Sequence, residues 1–233
     1  MAIYKDRVIG FIDILGWKKL VQDSATNEGL LLSIDSVALH IAQISEFCPQ
    51  INETYKEIIK EIVAENPIME KVMVAETDVV STHFSDTIVL SSSPNKGSVS
   101  SLVSVVIGLS LVLLKAGYCV RGAIVRGQLH HTQGSLYGPA LISAYELEKN
   151  NAIYPRIILG EDVLEFLVNK DWCQVDQADS LTFLNVLHHA NQADLLVIEE
   201  RLKVNIIRAE GNLSVIQKLN WLQNYLNLSR NGK

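Results

Sequence analysis

Apolar and polar positions divide the chain into short strand-like runs separated by helical stretches. Val8 to Ile12 is an apolar run that ends on Asp13, with Leu15 and Gly16 behind it, the pattern of a buried strand that delivers a carboxylate to its end before a turn into helix. Leu31, Ile34, Leu39, Ile41 and Ile44 follow helical spacing within residues 28–47, and Pro49 closes that helix. Residues 53–65 predict a second, charged and exposed helix before Pro67. Residues 72–80 and 84–91 are β-rich and predict a hairpin whose turn lies between Ser81 and Asp86. The run from Leu102 to Leu114 predicts a buried helix capped by Gly117, and residues 118–129 a strand interrupted by Gly122 and Gly127.

Beyond these, residues 138–149 are expected to be helical, 156–159 a strand and 161–168 a short helix. After Asp171 the pattern changes: residues 181–187 read as an edge strand, and residues 191–209 and 213–226 as amphipathic helices. Strand, helices, hairpin, helix, strand, helix, strand is the order of an extended ferredoxin-like α/β (α+β) sandwich. No repeat or low-complexity linker divides the chain, so the expected organisation is one domain, with a core over residues 1–160 and a C-terminal helical extension over 161–233 packed on it.

A chain of 233 residues with 48% hydrophobic content can bury a sizeable core. The formal charge of -6, without clustered Lys and Arg, argues against nucleic-acid binding. Three cysteines without a CxxC pair, and no signal-like start, make a reduced, cytoplasmic protein the expectation. Leu102 to Leu114 has 13 residues against the roughly twenty needed to span a bilayer, so no membrane insertion is expected.

Two acidic sites carry candidate chemistry: Phe11-Ile12-Asp13-Ile14-Leu15-Gly16-Trp17 and Phe84-Ser85-Asp86-Thr87-Ile88-Val89. An aspartate at the end of an apolar strand is costly unless it meets a cation or donors, and two from adjacent strands could hold divalent cations through oxygen. Taken singly, each also fits a strand-end carboxylate satisfied by backbone N–H groups. His130-His131 and His188-His189 point to opposite faces if extended and lack a companion cluster at zinc spacing. No Gly-x-Ser-x-Gly, Walker or dinucleotide fingerprint is present.

In order, these segments resemble the class III nucleotidyl cyclases. The first site resembles that family's Phe-x-Asp-Ile-x-Gly-Phe, with Trp17 for the last Phe; the second resembles its hairpin Gly-Asp, with Ser85 for the Gly. Val120-Arg121-Gly122-Ala123-Ile124 and Tyr137-Gly138-Pro139-Ala140-Leu141 to Leu147-Glu148 resemble the strand and helix that follow. The resemblance covers residues 8–159. It implies attack of a 3′-hydroxyl on the α-phosphate with loss of pyrophosphate, assisted by two Mg²⁺ or Mn²⁺ ions per site. Asp13, the Ile14 carbonyl and Asp86 would be the metal ligands, and the backbone N–H groups of Leu15, Gly16 and Trp17 would face the β- and γ-phosphates. Arg156 falls where the family has a triphosphate-gripping Lys. The family's composite sites imply a homodimer.

The two family positions that read a purine base fall on Thr82 and Ser135, which reproduce neither the adenine nor the guanine solution. With Phe84-Ser85-Asp86 and the helix Gly-Pro-Ala-Leu-Ile-x-Ala-Tyr-Glu-Leu-Glu, the chain resembles the pyrimidine cyclases of Pycsar antiphage systems. That likeness implies a cyclic UMP or cyclic CMP product, UTP being favoured over CTP, and a downstream effector that responds to it. Ile142 and Glu146 stand where the family has an Asn and an Arg that orient ribose and offset transition-state charge. Arg121 and Arg126 are the nearest replacement cations, and their spacing puts them on opposite faces of a strand. A diguanylate-type or palm-domain polymerase and a catalytically degenerate nucleotide sensor are the competing readings.

Overall fold

The computed structural model describes residues 3–43 and 78–231; the end of the first long helix, the charged helix and the first part of the predicted hairpin lie outside the described residues. In chain order the strands are β1 (Lys5–Ile14), β2 (Val80–Phe84), β3 (Thr87–Ser92), β4 (Val120–Thr132), β5 (Ser135–Tyr137), β6 (Ile157–Leu159), β7 (Cys173–Val175) and β8 (Thr182–Leu184). The helices are α1 (Trp17–Ser24), α2 (28–43), α3 (Lys96–Ala116), α4 (Pro139–Asn151), α5 (Gln192–Arg208) and α6 (Leu213–Asn231).

One sheet runs β2-β3-β1-β4-β6-β8-β7, with β5 paired to β4 beside it. Its first four strands, β2-β3-β1-β4, are antiparallel at every step, the arrangement of a ferredoxin-like core. The expected α/β architecture is therefore present. β6 joins β4 in parallel, and β8 and β7 continue antiparallel. One departure follows: the strand expected at the edge, β8, lies between β6 and β7.

Period-two alternation along β1 sorts the molecule into two faces. Val8, Ile12 and Ile14 join Ile88, Leu90 and Ile124 under α3, in a large core that also takes in Trp17, Val37, Ile41 and the apolar sides of α5 and α6. Ile9 and Phe11, with Val89, Val125 and Leu129, form a smaller core against Ala140 and Ala144 of α4. By register, Asp13, Thr87 and Arg121 share that second face.

α3 starts on Asn95, whose side chain accepts from Ser98 N at 2.9 Å, and ends on Gly117 at φ 95°. It is 21 residues long, and an 18-residue stretch of it with mean hydropathy 2.2 is long and apolar enough to cross a membrane, yet 67% of that stretch is buried within the fold. This matches the sequence expectation of a core helix. Gly138, at φ 148°, turns β5 into α4. A Cβ there would lie 2.7 Å from Gln128 O, so the step tolerates no side chain.

Candidate active site

The sheet register places Asp13 opposite Thr87 on one side and Arg121 on the other. β2 and β3 are joined by the two-residue turn Ser85-Asp86, with Ser85 at φ 55°, in the left-handed region where the resembled family has Gly. Two bonds fasten this turn to the end of β1. Ile14 N donates to Asp86 O at 3.2 Å, and the Trp17 indole Nε1 donates to Ser85 Oγ at 3.1 Å. Asp13 and Asp86, 73 residues apart in sequence, are thereby neighbours.

Arg121 completes the cluster. Its Nε lies 3.3 Å from Asp13 Oδ2 and 2.6 Å from Glu148 Oε1, the latter reaching in from α4. The Arg121 N–H is not aimed at that Glu148 oxygen, which stays without a directed hydrogen bond although its side chain is only 3% exposed. Burial raises the Asp13 pKa above the ordinary carboxylate value; Arg121 pulls it down and the neighbouring Asp86 pushes it up again. Burial likewise raises Glu148, against Arg121 and with help from Asp13. Arg121 pairs with Asp13 and Glu148, and Asp86 adds a third carboxylate beside Asp13, so the cluster holds one guanidinium against three carboxylates.

That excess is the condition a divalent cation relieves. Among the described residues no group of three or more His, Cys, Asp or Glu is arranged to hold a metal by itself. Two carboxylates and a main-chain carbonyl are nonetheless an all-oxygen set, and Mg²⁺ commonly takes one or two protein carboxylates and completes its shell with water and substrate phosphates. Asp13, Asp86 and Ile14 O fit such an ion.

The structure sorts the remaining expected residues. Gly16, at φ 83°, caps α1, so the N–H groups of Gly16 and Trp17 stand at the head of that helix, whereas Leu15 N is engaged by Cys119 O at 2.9 Å. Leu15 is thus withdrawn from the phosphate-facing set because its donor is used within the fold. Arg126 lies at the other end of β1, opposite Val8, bonded to Asp6 at 2.7 Å and Glu165 at 3.0 Å. It is not brought to Asp13; Arg121 is.

Arg156 is placed elsewhere again, with a side chain 1% exposed. It pairs with Asp176 at 2.5 Å and with Asp179, beneath the rings of Tyr154, Phe183 and Trp221. A guanidinium so enclosed and neutralised does not present itself to a triphosphate, which corrects the expectation drawn from the family Lys. Ile142, 60% exposed, and Glu146 lie on the outer side of α4.

Thr82 is half-buried on β2, on the same face of the sheet as Asp13. Ser135 begins β5, paired with Thr132 at the tip of the β4–β5 hairpin. His131 of that hairpin reaches Thr82 Oγ1 at 3.0 Å and so ties the hairpin that carries Ser135 to β2. His130 stacks on Tyr137 at 4.7 Å, and His188 and His189 sit in a 3-10 turn rather than an extended segment.

No protein-family model and no curated protein sequence matches the chain. Among solved structures, it is similar in fold to the catalytic core of a rhodopsin-guanylyl cyclase with converted specificity, crystallised in complex with ATPαS. Identity is 11%, the TM-score is 0.48, and the likeness covers 77% of this chain and 94% of that one. At that identity and score the likeness carries no argument about what this chain does.

Two participants had no role assigned from sequence. Glu148 was visible as the third member of the stripe Ala140, Ala144, Glu148, a carboxylate in a row otherwise turned to the core. His131 continues the inward alternation Val125, Gly127, Leu129 of β4, which the strand boundary predicted at residue 129 cut short.

Proposed function

We propose that this protein is a nucleotidyl cyclase that converts a pyrimidine nucleoside triphosphate, UTP before CTP, to its 3′,5′-cyclic monophosphate and pyrophosphate. The observation that carries the reading is the convergence of Asp13 and Asp86, fastened by the Ile14–Asp86 backbone bond, beside Arg121. The pyrimidine preference, a homodimeric assembly and a messenger role in antiphage defence with a downstream effector rest on the motif resemblance.

In the reaction, the ribose 3′-hydroxyl gives up its proton to solvent as its oxygen forms a bond to the α-phosphorus, the bond to the β-phosphate bridging oxygen breaks, and pyrophosphate leaves with the electron pair. Asp13, Asp86 and the Ile14 carbonyl would hold Mg²⁺ or Mn²⁺, which would supply Lewis acidity to the phosphoryl transfer. The N–H groups of Gly16 and Trp17, aligned with the dipole of α1, face phosphate oxygens. Arg121, held by Glu148 from behind, offsets charge that builds on the α-phosphate. In the dimer that the resemblance implies, Ser135 of one protomer would face the carboxylates of the other.

Incubating the pure protein with each of the four nucleoside triphosphates and Mn²⁺ or Mg²⁺, and resolving products by mass, tests the reading. A cyclic pyrimidine monophosphate with pyrophosphate is expected; a linear or dimeric product, or none, contradicts it. Mixing an Asp13→Ala chain with a Ser135→Ala chain should restore part of the activity that each lacks, and absence of rescue would show that sites form within single chains.

A further inference from the structure

We propose that Trp17 and Ser85 are a positioning pair for Asp86: the hydrogen bond between them holds the β2–β3 turn against the start of α1 and so sets where the second metal-facing carboxylate stands. The inference rests on the cyclase reading, in which Asp13 and Asp86 hold the metal.

The turn consists of Ser85 and Asp86, between the paired positions Phe84 and Thr87. Each is tied to the β1–α1 junction by one bond. Asp86 is tied through its backbone, its carbonyl accepting from Ile14 N at 3.2 Å, a contact that does not depend on either side chain. Ser85 is tied through its side chain, Oγ accepting from the Trp17 indole Nε1–H at 3.1 Å. An indole nitrogen only donates, so the direction of this bond is fixed.

The second bond is the one that the sequence specifies, and both of its ends are constrained. Trp17 is 7% exposed and packs in the large core, so its indole N–H has little access to water if Ser85 does not accept it. Ser85 stands at φ 55°, in the left-handed region, which costs a serine more than a glycine. A strained residue persists where its surroundings hold it, and the side-chain hold on Ser85 is the indole. Trp17 and Ser85 are also the positions at which the two acidic segments depart from the motifs they resemble, a Trp for a Phe and a Ser for a Gly. The departures lie 68 residues apart and meet in one hydrogen bond. A Phe offers no donor and a Gly no acceptor, so neither change makes the bond without the other.

The consequence is for cation affinity. Trp17 is the first residue of α1, so its indole links the head of that helix to the loop that carries Asp86. Without the bond, the strained turn loses its side-chain anchor, and the fraction of molecules with Asp86 held beside Asp13 falls. Apparent affinity for a cation falls with that fraction.

Two measurements test the pair. In ¹H–¹⁵N spectra the Trp17 indole N–H should exchange slowly with water in the parent and faster in Ser85→Ala; equal exchange rates overturn the inference. Mn²⁺ titration in the presence of a non-cyclisable UTP analogue, followed by electron paramagnetic resonance, should show binding weakened about fivefold in Ser85→Ala and in Trp17→Phe, the equivalent of one ordinary hydrogen bond. The double variant should lose no more than either single one, because both remove the same bond. Ser85 is exposed, so Ser85→Ala carries the test alone if Trp17→Phe does not fold. Parent-like Mn²⁺ affinity in Ser85→Ala, or losses that multiply in the double variant, overturns the pairing and spares the metal site. A parent protein that binds no Mn²⁺ overturns the metal assignment and this inference with it.

Discussion

Two places in this molecule set one arginine among acidic side chains, and they are opposites. Around Arg156, Asp176 and Asp179 meet the guanidinium, Trp221 Nε1 donates to Asp176 at 2.9 Å, and three aromatic rings close over the group. Burial pulls the Asp179 carboxyl up, but hydrogen bonds from Arg156 and Leu181 N and the charge of Arg156 outweigh it, so its pKa is lowered. Around Arg121 the outcome is reversed: Asp13 and Glu148 are both raised, and Glu148 Oε1 lacks an aligned donor. The first cluster is charge-paired, two carboxylates to one guanidinium, although Arg156 Nε itself meets no acceptor among the described residues, and it joins the start of β6 to the C-terminal helix α6. The second is under-satisfied at an open face, the state in which added positive charge is welcome.

The largest effect should come from breaking the enclosed, charge-paired cluster. Arg156→Ala leaves two carboxylates unpaired under aromatic rings and is expected to destabilise the fold by about 3–5 kcal/mol in denaturant unfolding. Turnover per folded molecule should not change, because Arg156 touches no expected substrate group; a selective loss of kcat in a stable protein would erase the distinction. Next comes Asp86→Ala, expected to cut cyclase activity by at least about a hundredfold while leaving the unfolding midpoint near that of the parent.

Smaller and more discriminating are the pH effects, which have opposite signs. A carboxyl with a lowered folded pKa stabilises the fold above the ordinary carboxylate range, and that contribution is lost as pH falls; Asp179→Asn should therefore lower the melting temperature at neutral pH. A carboxyl with a raised folded pKa weighs against the fold as pH rises through and beyond that range. Asp13→Asn and Glu148→Gln should accordingly raise the melting temperature at neutral pH, and the gain should vanish near pH 3, read by calorimetry across pH. Ser85→Gly is the finest probe. It relieves a left-handed serine but removes the acceptor of Trp17 Nε1, so stability should change little while the β2–β3 turn loosens and activity falls a few-fold.

Which parts of this were legible in sequence follows from how local each signal is. The strand ending on Asp13, the α3 helix with Gly117 behind it and the two C-terminal helices were written in periodicity and caps, and they stand as expected. The edge assignment of residues 181–187 failed because strand order in a sheet is a long-range property. Residues 173–175 are too short to announce themselves as a strand, yet they pair with β8 and take the edge. Arg156 misled for a related reason. Its partners Asp176 and Asp179 come from a loop 20 and 23 residues on, and its lid includes Trp221 from the last helix, none of which a motif can display. Arg121 and Arg126 could be assigned to opposite faces from spacing alone, but only the register beside Asp13 shows that Arg121 is the one at the site.

Manganese binding measures the central claim most directly. Titrating Mn²⁺ into the parent protein with a non-cyclisable UTP analogue, followed by electron paramagnetic resonance, should show bound ion that is lost in Asp13→Asn/Asp86→Asn and retained in Arg156→Lys. Equal Mn²⁺ occupancy in the parent and the double asparagine variant, with both folded, would contradict the assignment of these two aspartates as the metal-holding pair.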